Sequence, residues 1–275
     1  MKKQFACGCT FDVIDNHIIY NPNIEQLPLE CETSWDLICS GNTKGVFQLE
    51  SQLGRSMSAR VKPKSIEELS DLIAIIRPGC MEAIVDGKSL TQHYIDRKQG
   101  VDPVEYFHDA LKPILSSTYG ILVYQEQALL IARDIGGFDL QEADILRKAI
   151  GKKKVSLMTK LRKQFITKAE KKGVVTKTQA KEIFGWIEKS QRYSFNKSHS
   201  VSYAYNSYLT AYTKAHFPYE FFTSYLKNSI GKPDTYSEIE ELVNNARIMN
   251  IDVKPPNIKK MNKYFTLIHP NPTFG

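Results

Sequence analysis

From about residue 60 onward, apolar positions recur at helical spacing. Ile66, Leu69, Leu72, Ile73 and Ile76 share one helical face. Ser65, with Glu68 three residues on, gives that helix a capping-box start. Pro78-Gly79 is expected to stop it, and residues 77–100 read as an irregular polar stretch. A second helix is expected from about Val123 to Ile135, ended by Gly136-Gly137. Asp139 and Glu142 cap a third through Ile150, with Gly151 as its stop signal. Leu157, Leu161, Phe165 and Ala169 stripe a fourth from Leu157 to Lys171. Thr176 and Gln179 cap a fifth, which carries Ile183, Phe184 and Ile187. A long helix follows His199 and stops before Pro218. Ser237 and Glu240 cap a last one, with Leu242, Val243, Ala246 and Met249 on it.

The ends of the chain read differently. Phe11 to Ile14 and His17 to Tyr20 are short β-prone runs, and Asn21-Pro22-Asn23 and Pro28 mark turns. Residues 35–40 and 46–50 are short apolar pieces around a Gly41-Asn42 turn. Val253 to Asn257, with two prolines, breaks the helical pattern, and a strand-like piece follows Tyr264. The expected class is mainly α with a small β portion, an α+β fold.

Composition narrows the function. The chain has 275 residues, 42% hydrophobic and 24% charged, which is ordinary for a globular protein. It has no apolar run long enough to span a bilayer and no signal-peptide core after Lys2-Lys3, so a cytoplasmic location and no membrane partner are expected. The net charge is +7, but it is concentrated. Residues 145–172 hold eleven bases against one acid, leaving 26 bases and 29 acids elsewhere. A solvated helix face would mix the signs; one dominant sign suits an anionic partner. Arg147, Lys148, Lys152, Lys153 and Lys154 fall within eight residues. By charge alone they fit a triphosphate or a DNA backbone equally well.

Five cysteines, an odd number, argue against a disulfide framework. Cys7, Cys9, Cys31 and Cys39 would give four thiolates to one zinc. C-x-C followed by C-x7-C is not a standard knuckle, so zinc is not expected there and ordinary free thiols are.

Gly87-Lys88-Ser89 is not a phosphate loop, because position 82 is Glu where that loop needs glycine. Neither G-x-S-x-G nor H-E-x-x-H occurs. Ser194 to Ser200 gathers an amide, an ammonium, hydroxyls and an imidazole just ahead of a helix, where anions are favoured. Tyr205, Tyr208 and Tyr212 then share one face. Aromatics so placed are commonly packing; a stacking platform for a base is the sharper reading. Asp86-Gly87 is an ordinary turn pair, though Asp86 in a Gly-bounded loop also suits a Mg²⁺ ligand.

Several stretches together resemble a known family. They are Gly45-Val-Phe-Gln-Leu-Glu50-Ser51, Ile76-Arg77-Pro78-Gly79, Thr118-Tyr-Gly120, Tyr124-Gln-Glu126-Gln127, Ala143-Asp144-Ile-Leu-Arg147-Lys148-Ala-Ile-Gly151-Lys152-Lys153, Phe195-Asn196-Lys197-Ser198-His199 and Lys214-Ala-His216-Phe-Pro218. In this order they resemble the serial motifs of the bacterial DNA polymerase III alpha subunit, the C-family replicative polymerases. The resemblance runs from about residue 41 to 265 and covers a minor part of that family's full length.

The resemblance implies a partial palm plus a helical fingers domain. Residues 1–40 are a β/turn segment without a family role, 41–100 resemble the end of the palm, 101–252 the fingers, and 253–275 the start of the helix-hairpin-helix region. It implies template-directed DNA synthesis with two Mg²⁺ ions completed by residues outside this chain. Asp86 would be one metal ligand and catalytic carboxylate, with Glu82 and Asp96 as rivals because the segment after Arg77-Pro78-Gly79 is longer than the family form. Arg147 and Lys148 match the paired bases that hold the incoming dNTP, Lys152 and Lys153 are further contacts, and Asn196, Lys197 and His199 match the motif near the nucleotide. The implied partners are primer–template DNA, dNTP, the remaining palm, thumb and PHP domains, and, through regions beyond this chain, a sliding clamp and other replisome subunits. With the palm's Asp-x-Asp pair absent, this chain alone is expected to be inactive. The rival class is a non-catalytic DNA-binding module derived from the same family.

Overall fold

A computed structural model describes residues 2–14, 17–19, 25, 27–152, 155–190, 192–260 and 263–268. It divides into two compact units, 1–66 with 205–275, and 67–204. The expected mainly helical chain with a small β portion is what forms.

The first unit begins with an antiparallel sheet of β1 (Lys2–Gln4), β2 (Thr10–Ile14) and β3 (His17–Ile19), in that order. The two β-prone runs read from the sequence are β2 and β3; Asn21-Pro22-Asn23 lies outside the described residues. Two short helices follow: α1 (Glu32–Cys39) over the apolar piece expected at 35–40, and α2 (Gln52–Val61) just beyond the piece expected at 46–50, where no element was expected. Trp35 and Ile38 are the buried anchors of α1, too few to show a period. The Ser51 side chain caps α2 by accepting from the Gly54 N–H.

The second unit holds α3 (Ile66–Ile75), α4 (Pro78–Glu82), a hairpin of β4 (Ile84–Val85) and β5 (Lys88–Ser89), and α5 (Leu90–Lys98). Residues 77–100 are thus structured, contrary to the irregular stretch expected. Pro78 does end α3, but it also opens α4, since proline at a first helical position sacrifices no hydrogen bond. In α5, Ser89 accepts from the Gln92 N–H while Leu90, Tyr94 and Ile95 are buried. Its polar outer face hid that period.

A single core then gathers α6 (Lys112–Leu115), α7 (Gln125–Asp134), α8 (Leu140–Lys152), α9 (Val155–Lys172) and α10 (Lys177–Ser190). The two capping boxes expected here form reciprocally. The Glu142 N–H donates to Asp139 Oδ1 at 2.8 Å, and the Asp139 N–H to Glu142 Oε2 at 2.9 Å. Thr176 and Gln179 repeat the arrangement. Gly151 does not stop α8, which continues to Lys152. Gly136 is needed where it stands, because a Cβ there would lie 2.3 Å from two ring carbons of the fully buried Phe165.

Helix α11 (Lys197–His216) begins in the second unit, and its part from Tyr205 belongs to the first. The first unit closes with α12 (Pro218–Asn228) and α13 (Thr235–Ile248), packed through Phe221, Phe222, Leu226, Leu242 and Ala246. Asp234, not Ser237, caps α13: its carboxylate accepts from the Ser237 N–H at 3.2 Å. No strand forms at 264–268, and residues 269–275 lie outside the described ones.

Lys214 is buried in the first unit, with no exposed surface. Its Nζ donates to Asn42 O at 2.7 Å, Lys44 O at 2.8 Å and Asn245 Oδ1 at 2.6 Å. Burial, with Arg55 and Lys44 nearby, pushes the ammonium down to about 7, while three oxygen acceptors work to keep its proton.

Candidate functional site

The Phe195-Asn-Lys-Ser-His199 segment enters α11 with its backbone fixed on both sides. Phe195 bridges Tyr124 in a short parallel pairing: the Phe195 N–H donates to Val123 O at 3.0 Å, and the Gln125 N–H to Phe195 O at 2.9 Å. Asn196 caps the helix, its Oδ1 accepting from the His199 N–H at 2.9 Å. Glu126 holds this cap from the side. Its carboxylate accepts from Asn196 Nδ2 at 2.8 Å and from the Lys197 N–H at 3.0 Å. Asn196 and His199 are exposed and Lys197 is half-buried. The His199 ring lies 4.0 Å from the Tyr203 ring, centre to centre. The segment is therefore a rigid, solvent-facing row of polar groups at a helix N-terminus.

Arg77 and Gly79 pack behind it. The Arg77 guanidinium lies over the Phe195 ring at 3.8 Å and donates to Tyr193 O at 3.0 Å. A Cβ on Gly79 would meet Tyr193 Cβ at 3.0 Å and Arg192 O at 3.1 Å. Arg77 and Gly79 thus both meet the segment preceding Asn196 at close range.

Beneath the row is a buried carboxylate. Asp71 on α3 accepts from Tyr124 Oη at 2.7 Å and from Tyr94 Oη at 2.9 Å. Burial raises its carboxyl to about 6, against the pull of both hydroxyls and of the Lys197 ammonium. Ser70 joins the network through Tyr124 Oη at 2.9 Å, and its carbonyl accepts from Ser200 Oγ at 2.6 Å. Sequence reasoning gave roles to neither Asp71 nor Glu126. An acid in the apolar run from Ile66 to Ile76 was the available signal for Asp71.

On α8 the buried face is Ala143, Leu146, Ala149 and Ile150, so Arg147 and Lys148 point to solvent. Asp144 gathers both, at 2.7 Å from Arg147 and 2.7 Å from Lys148. Lys148 and then Arg147 hold its carboxyl below the usual range. The Lys152 side chain and all of Lys153 lie outside the described residues. Other bases of the block find acids distant in sequence: Arg162 pairs with Glu188 at 2.7 Å, and Lys168 with Glu142.

Asp86 and Gly87 form the two-residue turn of the β4–β5 hairpin, with φ of 48° and 80°, a positive-φ pair that suits such a hairpin. Asp86 is exposed, as is Glu82. Asp96 is buried and salt-bridged to Lys88 at 2.7 Å, which also reaches Asp102 at 2.7 Å. Lys88 holds the Asp96 carboxyl down. Asp86, α8 and the start of α11 all belong to the 67–204 unit.

In the other unit, Tyr208 and Tyr212 are buried, and Tyr208 packs on Trp35 at 4.5 Å and donates to Pro28 O at 2.7 Å. They are core, so the stacking-platform reading does not hold for them. The four-thiol set is not assembled either. Cys39 donates to Pro63 O at 3.3 Å, while Cys7, Cys9 and Cys31 meet His216. Among the described residues this is the one group of three or more ligand side chains within reach of a common ion.

The sequence profile of the bacterial DNA polymerase III alpha subunit finger domain matches residues 8–173, more than half of the chain. The chain belongs to the bacterial DNA polymerase III alpha subunit family. It is 40% identical over 245 residues to the DNA polymerase III subunit alpha of Aquifex aeolicus (strain VF5), covering 89% of this chain and 20% of that protein. It is also 40% identical over 257 residues to that of Thermus aquaticus, covering 91% and 20%. With the Campylobacter jejuni protein it shares 38% over 275 residues, covering 98% and 22%. The chain spans about a fifth of the length of these curated relatives. The finger-domain match runs through the segment expected as the end of the palm and into the segment expected as the fingers.

Proposed function

We propose that this chain is the dNTP-gripping part of a template-directed DNA polymerase acting in DNA replication, in the cytoplasm of a bacterial cell or phage-infected host. The observation that carries the reading is the preorganisation of exposed bases and amides. Asp144 holds Arg147 and Lys148 outward on α8, and Glu126 fixes Asn196 and Lys197 at the start of α11. Groups held in place before the ligand arrives need no ordering afterwards, and stabilising the charge of a transferring phosphoryl group calls for such donors.

In this reading Arg147 and Lys148 neutralise the triphosphate, Arg147 through paired N–H donors. Lys152 and Lys153 add charge. Asn196, Lys197 and His199 orient the nucleotide. Primer–template DNA and the rest of the polymerase, namely palm, thumb and PHP domains, are the partners, with a sliding clamp and other replisome subunits reached through those other regions. Mg²⁺ is commonly held by one or two carboxylates together with substrate phosphates. The reading gives the chain one carboxylate ligand, Asp86, with Glu82 and Asp96 as rivals.

The test is steady-state incorporation by a complete polymerase in which this sequence occupies the finger region. Losing a hydrogen bond to a charged group costs about 1.5–3 kcal/mol, so Arg147→Ala raises the KM for dNTP by about 10-fold or more and leaves primer–template affinity unchanged. Weaker DNA binding with an unchanged KM instead establishes the DNA-binding module and overturns the nucleotide role.

A further inference from the structure

We propose that Cys7, Cys9, Cys31 and His216 bind one zinc ion in a closed structural site. The four ligand atoms lie within 4.8 Å of one another. Two of the separations are those an ion would impose. Two thiolates on one zinc at about 2.3 Å stand about 3.8 Å apart at the tetrahedral angle, and a thiolate and an imidazole nitrogen about 3.6 Å apart. Cys7 Sγ and Cys31 Sγ are 3.8 Å apart, and Cys7 Sγ lies 3.7 Å from His216 Nε2. Cys31 Sγ is closer to that nitrogen, at 3.1 Å. A disulfide would need sulfurs about 2.0 Å apart and would leave the imidazole without a role.

Each ligand is set by local structure within the first unit. Cys7-Gly8-Cys9 is the tight turn between β1 and β2. The Phe5 N–H donates to Cys9 O at 2.8 Å and the Gly8 N–H to Phe5 O at 2.9 Å, with Gly8 at φ 89°. That φ suits glycine, and the turn brings two sulfurs to one side of the chain. Cys31 occupies the cap position of α1 yet makes no side-chain cap bond. Its sulfur instead joins the cluster, and Ser34 Oγ donates to it at 3.3 Å from behind, as hydrogen-bond partners behind metal ligands do. His216 is the last residue of α11, its ring held between Phe5 and Tyr212, each 4.4 Å away.

The donor set selects the ion. Three thiolates and one imidazole are a known structural zinc combination, and soft sulfur disfavours Mg²⁺ and Ca²⁺. All four positions come from protein, so no site remains for substrate. The role is to tie the β1–β2 turn, the start of α1 and the end of α11 together. Glu30, Glu32 and Asp36 line a cleft beside Cys7 and give an entering cation an acidic approach. This inference is independent of the nucleotide role of α8.

The experiment is metal analysis of the intact chain purified without chelator, followed by cobalt substitution. One zinc per chain is expected. Co²⁺ in its place should show the intense visible bands of a tetrahedral site and a thiolate charge-transfer band. Cys31→Ser should weaken zinc binding by more than the roughly 10–100-fold that a partner behind a ligand is worth, while Cys39→Ser and Cys80→Ser keep full zinc. Because Cys31→Ser can unfold the unit, the wild-type cobalt spectrum decides independently of it. Zinc-free protein with freely titrating thiols, a weak octahedral cobalt spectrum, or zinc lost through Cys39→Ser would each overturn the site.

Discussion

Replacing Lys214 by methionine keeps an unbranched apolar stem in the first unit and removes only the ammonium. Nζ satisfies three oxygens, Asn42 O, Lys44 O and Asn245 Oδ1, at 2.6 to 2.8 Å, in a side chain with no exposed surface. A buried polar group left without a partner costs about 1–3 kcal/mol. Three such oxygens set a ceiling well above the expected loss, because two effects oppose it. The variant no longer buries a charge, which costs several kcal/mol per ion. The Asn245 amide, already bonded through Nδ2 to Asn42 Oδ1, also has room to readjust. The net expectation is a loss of about 2–4 kcal/mol. The assay is urea unfolding at pH 6, where the side chain carries its charge, in a Trp186→Phe background. Trp35, packed against Tyr208, then reports on the first unit alone. With a slope of about 2 kcal/mol/M, the midpoint falls by about 1–2 M. A change under about 0.5 kcal/mol would show that the three oxygens find water at no cost and that Lys214 is no anchor.

The other stability predictions concern the second unit. Gly136→Ala places a methyl 2.3 Å from the buried Phe165 ring and should cost about 1–3 kcal/mol through overpacking; an unchanged melting curve read from Trp186 fluorescence would contradict the packing. Asp71 is raised from 3.8 to about 6 in the fold, amid Tyr94, Tyr124, Lys197 and Glu68. A raised pKa stabilises fully below the unfolded value and is lost as pH climbs through the folded one. The stability of Asp71→Asn relative to wild type should therefore improve by up to about 3 kcal/mol between pH 4 and pH 7, and a pH-independent difference in urea midpoints would refute the shift.

Much of the second unit could be read from the sequence because its helices are long, striped and capped by side chains close in sequence. Asp139 with Glu142, and Thr176 with Gln179, make the reciprocal bonds their spacing implies. What escaped was short or polar. α1 rests on Trp35 and Ile38, and α5 shows solvent a face of charged and amide groups that masks Leu90, Tyr94 and Ile95. The site divides in the same way. Arg147 and Asn196 stand out by residue type and motif. Asp144 and Glu126 lie inside those motifs without declaring a task, because their partners are fixed only by a helical turn or by a strand-like pairing 70 residues away. His216 is 185 residues from Cys31, so no spacing rule could add it to the cysteines, and Cys39 took its place in the sequence reading.

The basic block carries a related lesson about charge. Eleven bases to one acid over 145–172 is a count along the chain, while a ligand meets charge in space. Arg162 and Lys168 reach Glu188 and Glu142, and Lys177 pairs with Glu170, the block's one acid. Such exposed pairs contribute little to stability, but they reduce the local excess that an anion would sense. Asp144 acts differently. It stands one turn before both Arg147 and Lys148 on the same helix face, so it aligns the two cations with each other and with the solvent side of α8. A phosphate arriving there meets two cations already side by side and shares them with a carboxylate that stays ionised. Under the nucleotide role proposed above, that arrangement would favour a ligand carrying several negative charges at a single spot, as a triphosphate does, over a single backbone phosphate.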